Sequence, residues 1–204
     1  KSKILIALAL VGSIYQIGCS SAEKSTQTQY QEDRVLGRSD SRTSRPDWVT
    51  ETVSVRQSGS KIQFIGVAEV PADSRVQAAF KMSDSAARGN VANKVETNIT
   101  KIVQNSESGM NMEDQSLKSL IHEMSQVSLN NVDVHDRYWE KVERMSSTGQ
   151  ATAVMKVFSL IEMDKEDLLK LILDKKRSTA SSPDLKNQVE KIVRSQWETA
   201  PLAE

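Results

Sequence analysis

Few residues in this 204-residue chain have the type and setting to do chemistry. There is one cysteine, Cys19, and there are two histidines, His122 and His135. A single cysteine excludes an intrachain disulfide framework and a Cys-rich zinc module. Two histidines are too few for a His-rich metal site. His122 sits in Leu120-Ile121-His122-Glu123-Met124. Neighbours on a helix point to different faces, so this pair is not the H-E-x-x-H arrangement that binds zinc. A solvated or capping role is expected for it. His135 lies in Val134-His135-Asp136-Arg137, where charged neighbours predict a surface position shared with Arg137. No phosphate loop, G-x-G-x-x-G or G-x-S-x-G motif occurs. The 27 acidic residues are spread through charged faces, and no carboxylate pair stands apart from them. No catalytic residue, cofactor or metal ligand is assigned, and the chain is expected not to be an enzyme. The aromatics worth naming are Trp48, Tyr138 and Trp139. They read as core packing or, alternatively, as a partner-binding patch, since aromatics are favoured interface anchors.

Cys19 has a different chemistry from catalysis. Lys1 and Lys3 precede an unbroken apolar run from Ile4 to Val11, extended by Gly12, Ser13 and Ile14. A membrane-spanning helix needs about 20 apolar residues, so this run is too short. Its proportions are those of a signal-peptide core. It ends in Gln16-Ile17-Gly18-Cys19-Ser20, which resembles a bacterial lipobox. There, a small residue precedes a cysteine that is diacylated and becomes the new N-terminus. Gln16 stands where an aliphatic residue is usual. Cys19 is therefore expected to be a lipidated thioether, and the membrane is the first partner. Each buried methylene contributes roughly 0.8 kcal/mol, and two or three acyl chains anchor stably where one does not. Charge points the same way. The whole chain carries 27 basic and 27 acidic residues; removing residues 1–18 leaves 25 and 27, a net −2. That excludes a strongly basic nucleic-acid face and leaves the lipid to do the anchoring. Ser20 follows the cysteine rather than the Asp associated with inner-membrane retention in enteric bacteria, so the outer membrane is expected.

The elements behind these residues form four parts. Residues 1–18 are the expected lipoprotein signal peptide. Residues 19–44 are a lipidated flexible tether, rich in Ser, Thr, Gln and charge and too polar to offset its ordering entropy. A coil of that length spans about 25–30 Å. Residues 45–177 form the domain. A short strand is expected over Glu51–Arg56, a turn at Gln57-Ser58-Gly59-Ser60, and a buried strand from Lys61 to Val70. Gly66 inside that strand marks a bulge or a close backbone approach. Asp73 and Ser74 offer a helix N-cap. Val76, Phe80, Ser83, Ala87, Val91, Val95, Ile99 and Ile102 then recur at helical spacing to about Gln104. Ala78, Ala79, Ala86, Ala87 and Ala92 let this helix lie close against a sheet. A second helix carries Leu117, Leu120, Ile121, Met124 and Val127. A hairpin follows, with strands Val132–Met145 and Ala151–Met163. Asp164 caps a third helix. Residues 178–204 are a linker and a C-terminal amphipathic helix that begins at Pro183. The fold class is α+β: a small antiparallel sheet packed by a long helix. The strand Ala151–Met163 is apolar on both faces, with Val154, Phe158 and Leu160 on one and Met155, Val157 and Ile161 on the other. A half-solvated sheet would alternate with polar residues there. This predicts a second cover on the sheet, either the segment 183–198 or, preferably, a second subunit seated on the Val157 face. A homo-oligomer is the resulting expectation.

Three segments carry a family resemblance: Arg45-Pro46-Asp47-Trp48-Val49, then Phe64-Ile65-Gly66-Val67-Ala68, then the Ala-rich helix with its Ala87-Arg88 step. Together they resemble the Lpp-twenty family of small bacterial outer-membrane lipoproteins. Ala68 replaces the second glycine of the family strand, and Pro71 interrupts the run into the helix. The resemblance covers roughly residues 45–165. It implies a dodecin-like α+β domain and supplies no catalytic residues. It implies a non-catalytic lipoprotein acting through contacts with an envelope protein. Related domains around the flagellar motor add the alternative of a flagellar accessory lipoprotein forming a ring or disk around the motor; a lipoprotein regulator of peptidoglycan synthesis is a further, separate alternative.

Overall fold

A computed structural model describes residues 33–39, 42–107, 109–127, 132–146, 149–173 and 182–199. The expected signal peptide, Cys19 and the tether up to residue 32 lie outside the described residues. In chain order the elements are β1 (Arg34–Arg38), β2 (Val55–Ser58), β3 (Lys61–Pro71), α1 (Val76–Asn105), α2 (Gln115–Val127), β4 (Asp136–Met145), β5 (Ala151–Asp164), α3 (Lys165–Ile172) and α4 (Pro183–Gln196). The strands form one sheet in the order β1-β4-β5-β3-β2, and every neighbouring pair is antiparallel. The α+β class and the long helix on an antiparallel sheet are as the sequence predicts, with five strands rather than four.

β5 is central because it is apolar on both faces. It pairs with β3 from Pro71↔Val154 to Lys61↔Asp164 and with β4 from Met145↔Ala151 to Asp136↔Leu160. β2 and β3 are joined by the two-residue turn Gly59-Ser60, and Gly59 takes φ 62°, a conformation glycine adopts without steric cost. α1 is 30 residues long, about 45 Å at 1.5 Å per residue. Of the stripe read from the sequence, Ser83, Ala87, Val91, Val95, Ile99 and Ile102 are buried, while Val76 and Phe80 at its start are only partly buried and Ala79 is buried beside them. The start of α1 differs from expectation. Arg75 is the N-cap and gives no side-chain bond, while the Ser74 N–H closes a turn onto the Pro71 carbonyl. α4 begins as expected at Pro183, with Ser182 Oγ accepting from the Leu185 N–H at 3.3 Å.

Gly66 is the reason α1 lies so close to β3. A Cβ at that position would fall 2.1 Å from the Ser83 carbonyl oxygen and 2.3 Å from the Ala87 nitrogen. Only a residue without Cβ fits against the helix backbone there. Of the two sequence readings for Gly66, close approach is the one observed.

Three expectations are corrected. First, residues 34–38 fall inside the expected tether yet form β1, an edge strand paired with β4. Second, α4 is no appendage. Val189, Val193 and Trp197 are fully buried in the cluster that joins α1, α2 and α3. The domain therefore runs from Asp33 to beyond Trp197, not from 45 to 177. Third, Val157 is not an exposed face. It is buried with Val70, Ala79 and Met155 beneath α1. The opposite face, with Ile65, Tyr138, Phe158 and Leu160, is covered by Trp48 and Val49 of the chain's own segment 42–54. The bare face that called for a second subunit is thus filled from within, and the ground for expecting an oligomer there is removed.

Candidate functional site

Three polar arrangements stand out around this sheet. The first clasps the segment 33–54 onto the far face. Glu140 is completely buried and accepts from Arg45 Nε at 3.0 Å, from Arg45 Nη2 and from the Tyr138 hydroxyl at 3.0 Å. Arg38 adds a cation at 4.0 Å. Lys156, 5 % exposed, donates to Asp33 at 2.7 Å and to Glu51 at 3.0 Å. Arg144 spans Asp33 and Glu69, and Trp48 Nε1 donates to Asp136 at 3.0 Å. Burial pushes the Asp33 carboxyl up, but hydrogen bonds from Lys156 and Arg144 outweigh it and hold the group below its ordinary value. Burial likewise pulls the Lys156 ammonium down, and Asp33 and Glu51 more than reverse this. Burial and the neighbouring Glu140 both raise the Tyr138 phenol. Buried charges left unpaired are costly, so Glu140 and Lys156 need the cations and anions that the N-terminal segment brings.

The second arrangement lies under α1. Ser159 Oγ donates to Asp84 Oδ1 at 2.6 Å and meets Ser83 Oγ at 2.6 Å. Arg137 grips both Asp84 oxygens, at 3.0 and 2.9 Å, and its guanidinium stands 5.8 Å from the centre of the Phe80 ring. Burial raises the Asp84 carboxyl, and bonds from Arg137 and Ser159 lower it further than burial lifts it. A hydroxyl beside a carboxylate suggests a nucleophile, but both serines are fully buried and no imidazole adjoins them among the described residues. What this cluster does is pin α1 to β4 and β5.

The third is a cleft of about 500 Å3 at the open edge of the sheet. Thr52, Val53, Ser54 and Val55 form one wall. Asn90, Asn93, Lys94 and Thr97 of α1 form the other. Those four recur at i, i+3, i+4 and i+7, one stripe of a helix. Asn90 Nδ2 donates to the Ile65 carbonyl at 2.7 Å, where the β2–β3 ladder stops. Val53 is 41 % exposed at the mouth.

The aromatics expected as candidate contacts fall into two groups. Trp48 and Tyr138 meet each other on the far face, with the Tyr138 and Phe158 ring centres 6.0 Å apart. Trp139 is half-buried on the α1 face opposite its strand partner Val157. Trp48 and Tyr138 are buried in the core, and Trp139 packs only in part. His122 is exposed, its Nδ1 3.3 Å from Glu96; His135 is exposed on the approach to β4. Among the described residues no group of His, Cys, Asp and Glu is placed to hold a metal ion, and no helix is long and apolar enough to cross a membrane. The residues missed by sequence reasoning are the clasp charges and the cleft. A signal existed for the clasp: Glu140 and Lys156 are charges inside otherwise apolar strand faces.

Comparison with known proteins returns no match among family models, curated proteins or solved structures.

Proposed function

We propose that this chain is a non-catalytic lipoprotein of the bacterial cell envelope, anchored through Cys19 in the outer membrane and acting by protein–protein contact. The observation that carries the proposal is the chain's single cysteine standing directly after Gly18 at the end of a short apolar run. Because β1 belongs to the sheet, only residues 20–32 separate Cys19 from the domain. Thirteen residues reach at most about 45 Å when fully extended. On this reading an anchor at Cys19 would hold the domain within that reach of the bilayer, and a pull on it would pass to β1 and the ion-pair clasp.

We keep the Lpp-twenty-like, dodecin-like reading as a proposal; the three segments it quotes lie together in the fold. Trp48 packs on Ile65, and Gly66 admits the backbone of Ala87. The experiment is metabolic labelling with palmitate, followed by fractionation. The parent chain takes up label and sediments with outer membranes. Cys19→Ala takes up none and is lost from that fraction. Equal label and equal membrane retention in the variant would reject the anchor.

A further inference from the structure

We propose that the cleft between the free edge of β2 and α1 binds an extended peptide bearing a carboxylate, which adds to the sheet as a further strand with its acid at Lys94. The proposal rests on the reading that the domain acts by protein contact, and it is independent of the lipid.

β2 is the last strand in the sheet order. The Ile65 N–H donates to the Ser54 carbonyl at 2.8 Å, which fixes which residues face inward. Backbone groups alternate along an antiparallel strand. With Arg56 and Ser58 turned toward Gln63 and Lys61 of β3, the N–H and C=O groups of Val55, which lines the cleft, and of Gln57, next along the edge, point off the sheet. An unpaired row of this kind is a template for an added strand. Beside it, α1 presents Asn90, Asn93 and Thr97. Asn90 uses an N–H on Ile65 and keeps its carbonyl oxygen as an acceptor. These side chains suit a polar backbone rather than an apolar body.

Charge then names the occupant. Lys94 is the one charged residue of the eight that line the cleft. It is half-buried and has no ion-pair partner among the described residues. Elsewhere Arg45, Arg137, Arg144 and Lys156 each meet a carboxylate. A lysine on a half-buried residue with no ion-pair partner among the described residues, beside an open edge, is complementary to an acidic side chain on an extended segment.

The test uses the full chain in mild detergent. The probe is a fluorescein-labelled hexapeptide of alternating Thr and Val with one central Glu, compared with the same peptide carrying Gln. Two variants are needed. Lys94→Gln removes the charge. Gln57→Pro removes an N–H that serves no ladder bond, at an edge position where proline is tolerated. Unchanged urea midpoints verify that both fold. Saturable anisotropy is expected, weakened tenfold or more by Lys94→Gln, with no further loss when the Gln peptide meets that variant. Gln57→Pro abolishes binding. Four results would overturn the proposal: no saturation at millimolar peptide, binding indifferent to both variants, full displacement by millimolar acetate, which would mark a small-anion site, or peptide-free self-association that Gln57→Pro abolishes, which would give the edge to a second copy. A chain that is acylated at Cys19 but fails with the peptide loses only this inference. Peptide binding by a non-acylated Cys19→Ala chain retains it.

Discussion

Replacing Gly66 by Ala should lever α1 off the sheet. The new methyl would lie 2.1 Å from the Ser83 carbonyl oxygen, 2.3 Å from the Ala87 nitrogen and 2.8 Å from the Ala87 Cα. Favourable contact begins at about 3.5 Å, so helix and strand must separate by more than about 1 Å. All three atoms are backbone, and no side chain can swing aside. The same movement stretches the 2.6 Å bond between Ser83 and Ser159 and the 2.7 Å bond from Asn90 to Ile65. Overpacking costs about 1–3 kcal/mol, and each weakened hydrogen bond adds about 1 kcal/mol. The total is roughly 4 kcal/mol, a large part of the ~5–15 kcal/mol that holds a domain folded. Gly89→Ala is the matched control. A Cβ there meets nothing within 4 Å, and the site is mid-helix, so it should stabilise by about 0.5–1 kcal/mol. Urea unfolding followed by fluorescence of the three tryptophans measures both from midpoint and slope. A Gly66→Ala chain within about 0.5 kcal/mol of its parent, with the same slope, would refute the close-approach reasoning.

Other outcomes follow from the charge networks. Arg45→Ala leaves the fully buried Glu140 with the Tyr138 hydroxyl and with Arg38 at 4.0 Å. A loss of roughly 3 kcal/mol is expected, and Glu140→Gln in that background should recover part of it, both read from urea midpoints. Acid should also weaken the fold. The depressed carboxyls of Asp33 and Asp84 stabilise fully above the ordinary aspartate value of 3.8, and that contribution is lost as pH falls through their lower folded values. Urea midpoints should therefore hold between about pH 7 and 5 and drop below about pH 4, with a shallower drop in Asp33→Asn. Lys156 runs in the opposite sense. Its raised ammonium stabilises below 10.5 and is lost as pH rises past its folded value, so Lys156→Met should flatten the alkaline limb.

The parts of the fold that were legible in the sequence are those with strong local periodicity. β3, α1 and β5 are long, and each buries a stripe that can be counted along the chain. Gly66 and the alanines of α1 were readable because a close backbone approach admits only small residues. β1 carried no such signal. Five residues containing Val35, Leu36 and a glycine give no alternation, and the strand exists because β4 offers backbone partners. The apolar faces of β5 did announce that both sides of the sheet are covered. They could not say by what. Trp48 covers one face from more than 80 residues away, and α1 covers the other, where Val157 lies. Glu140 and Lys156 are register partners, and their intrusion into apolar stripes implied that opposite charges must come down on that face. The segment that brings them is a property of the tertiary fold. The cleft was hidden for a similar reason. Asn90, Asn93, Lys94 and Thr97 read along the helix as a solvated stripe, and only the neighbouring free edge of β2 makes them a wall.

The most direct measurement of the proposed role is the mass of the N-terminal peptide recovered from outer membranes of cells making the full chain. The predicted result is a peptide that begins at Cys19 and carries a thioether-linked diacylglycerol, and it disappears in Cys19→Ala. A peptide in which Gly18 still precedes an unmodified Cys19 thiol would contradict the lipoprotein assignment outright.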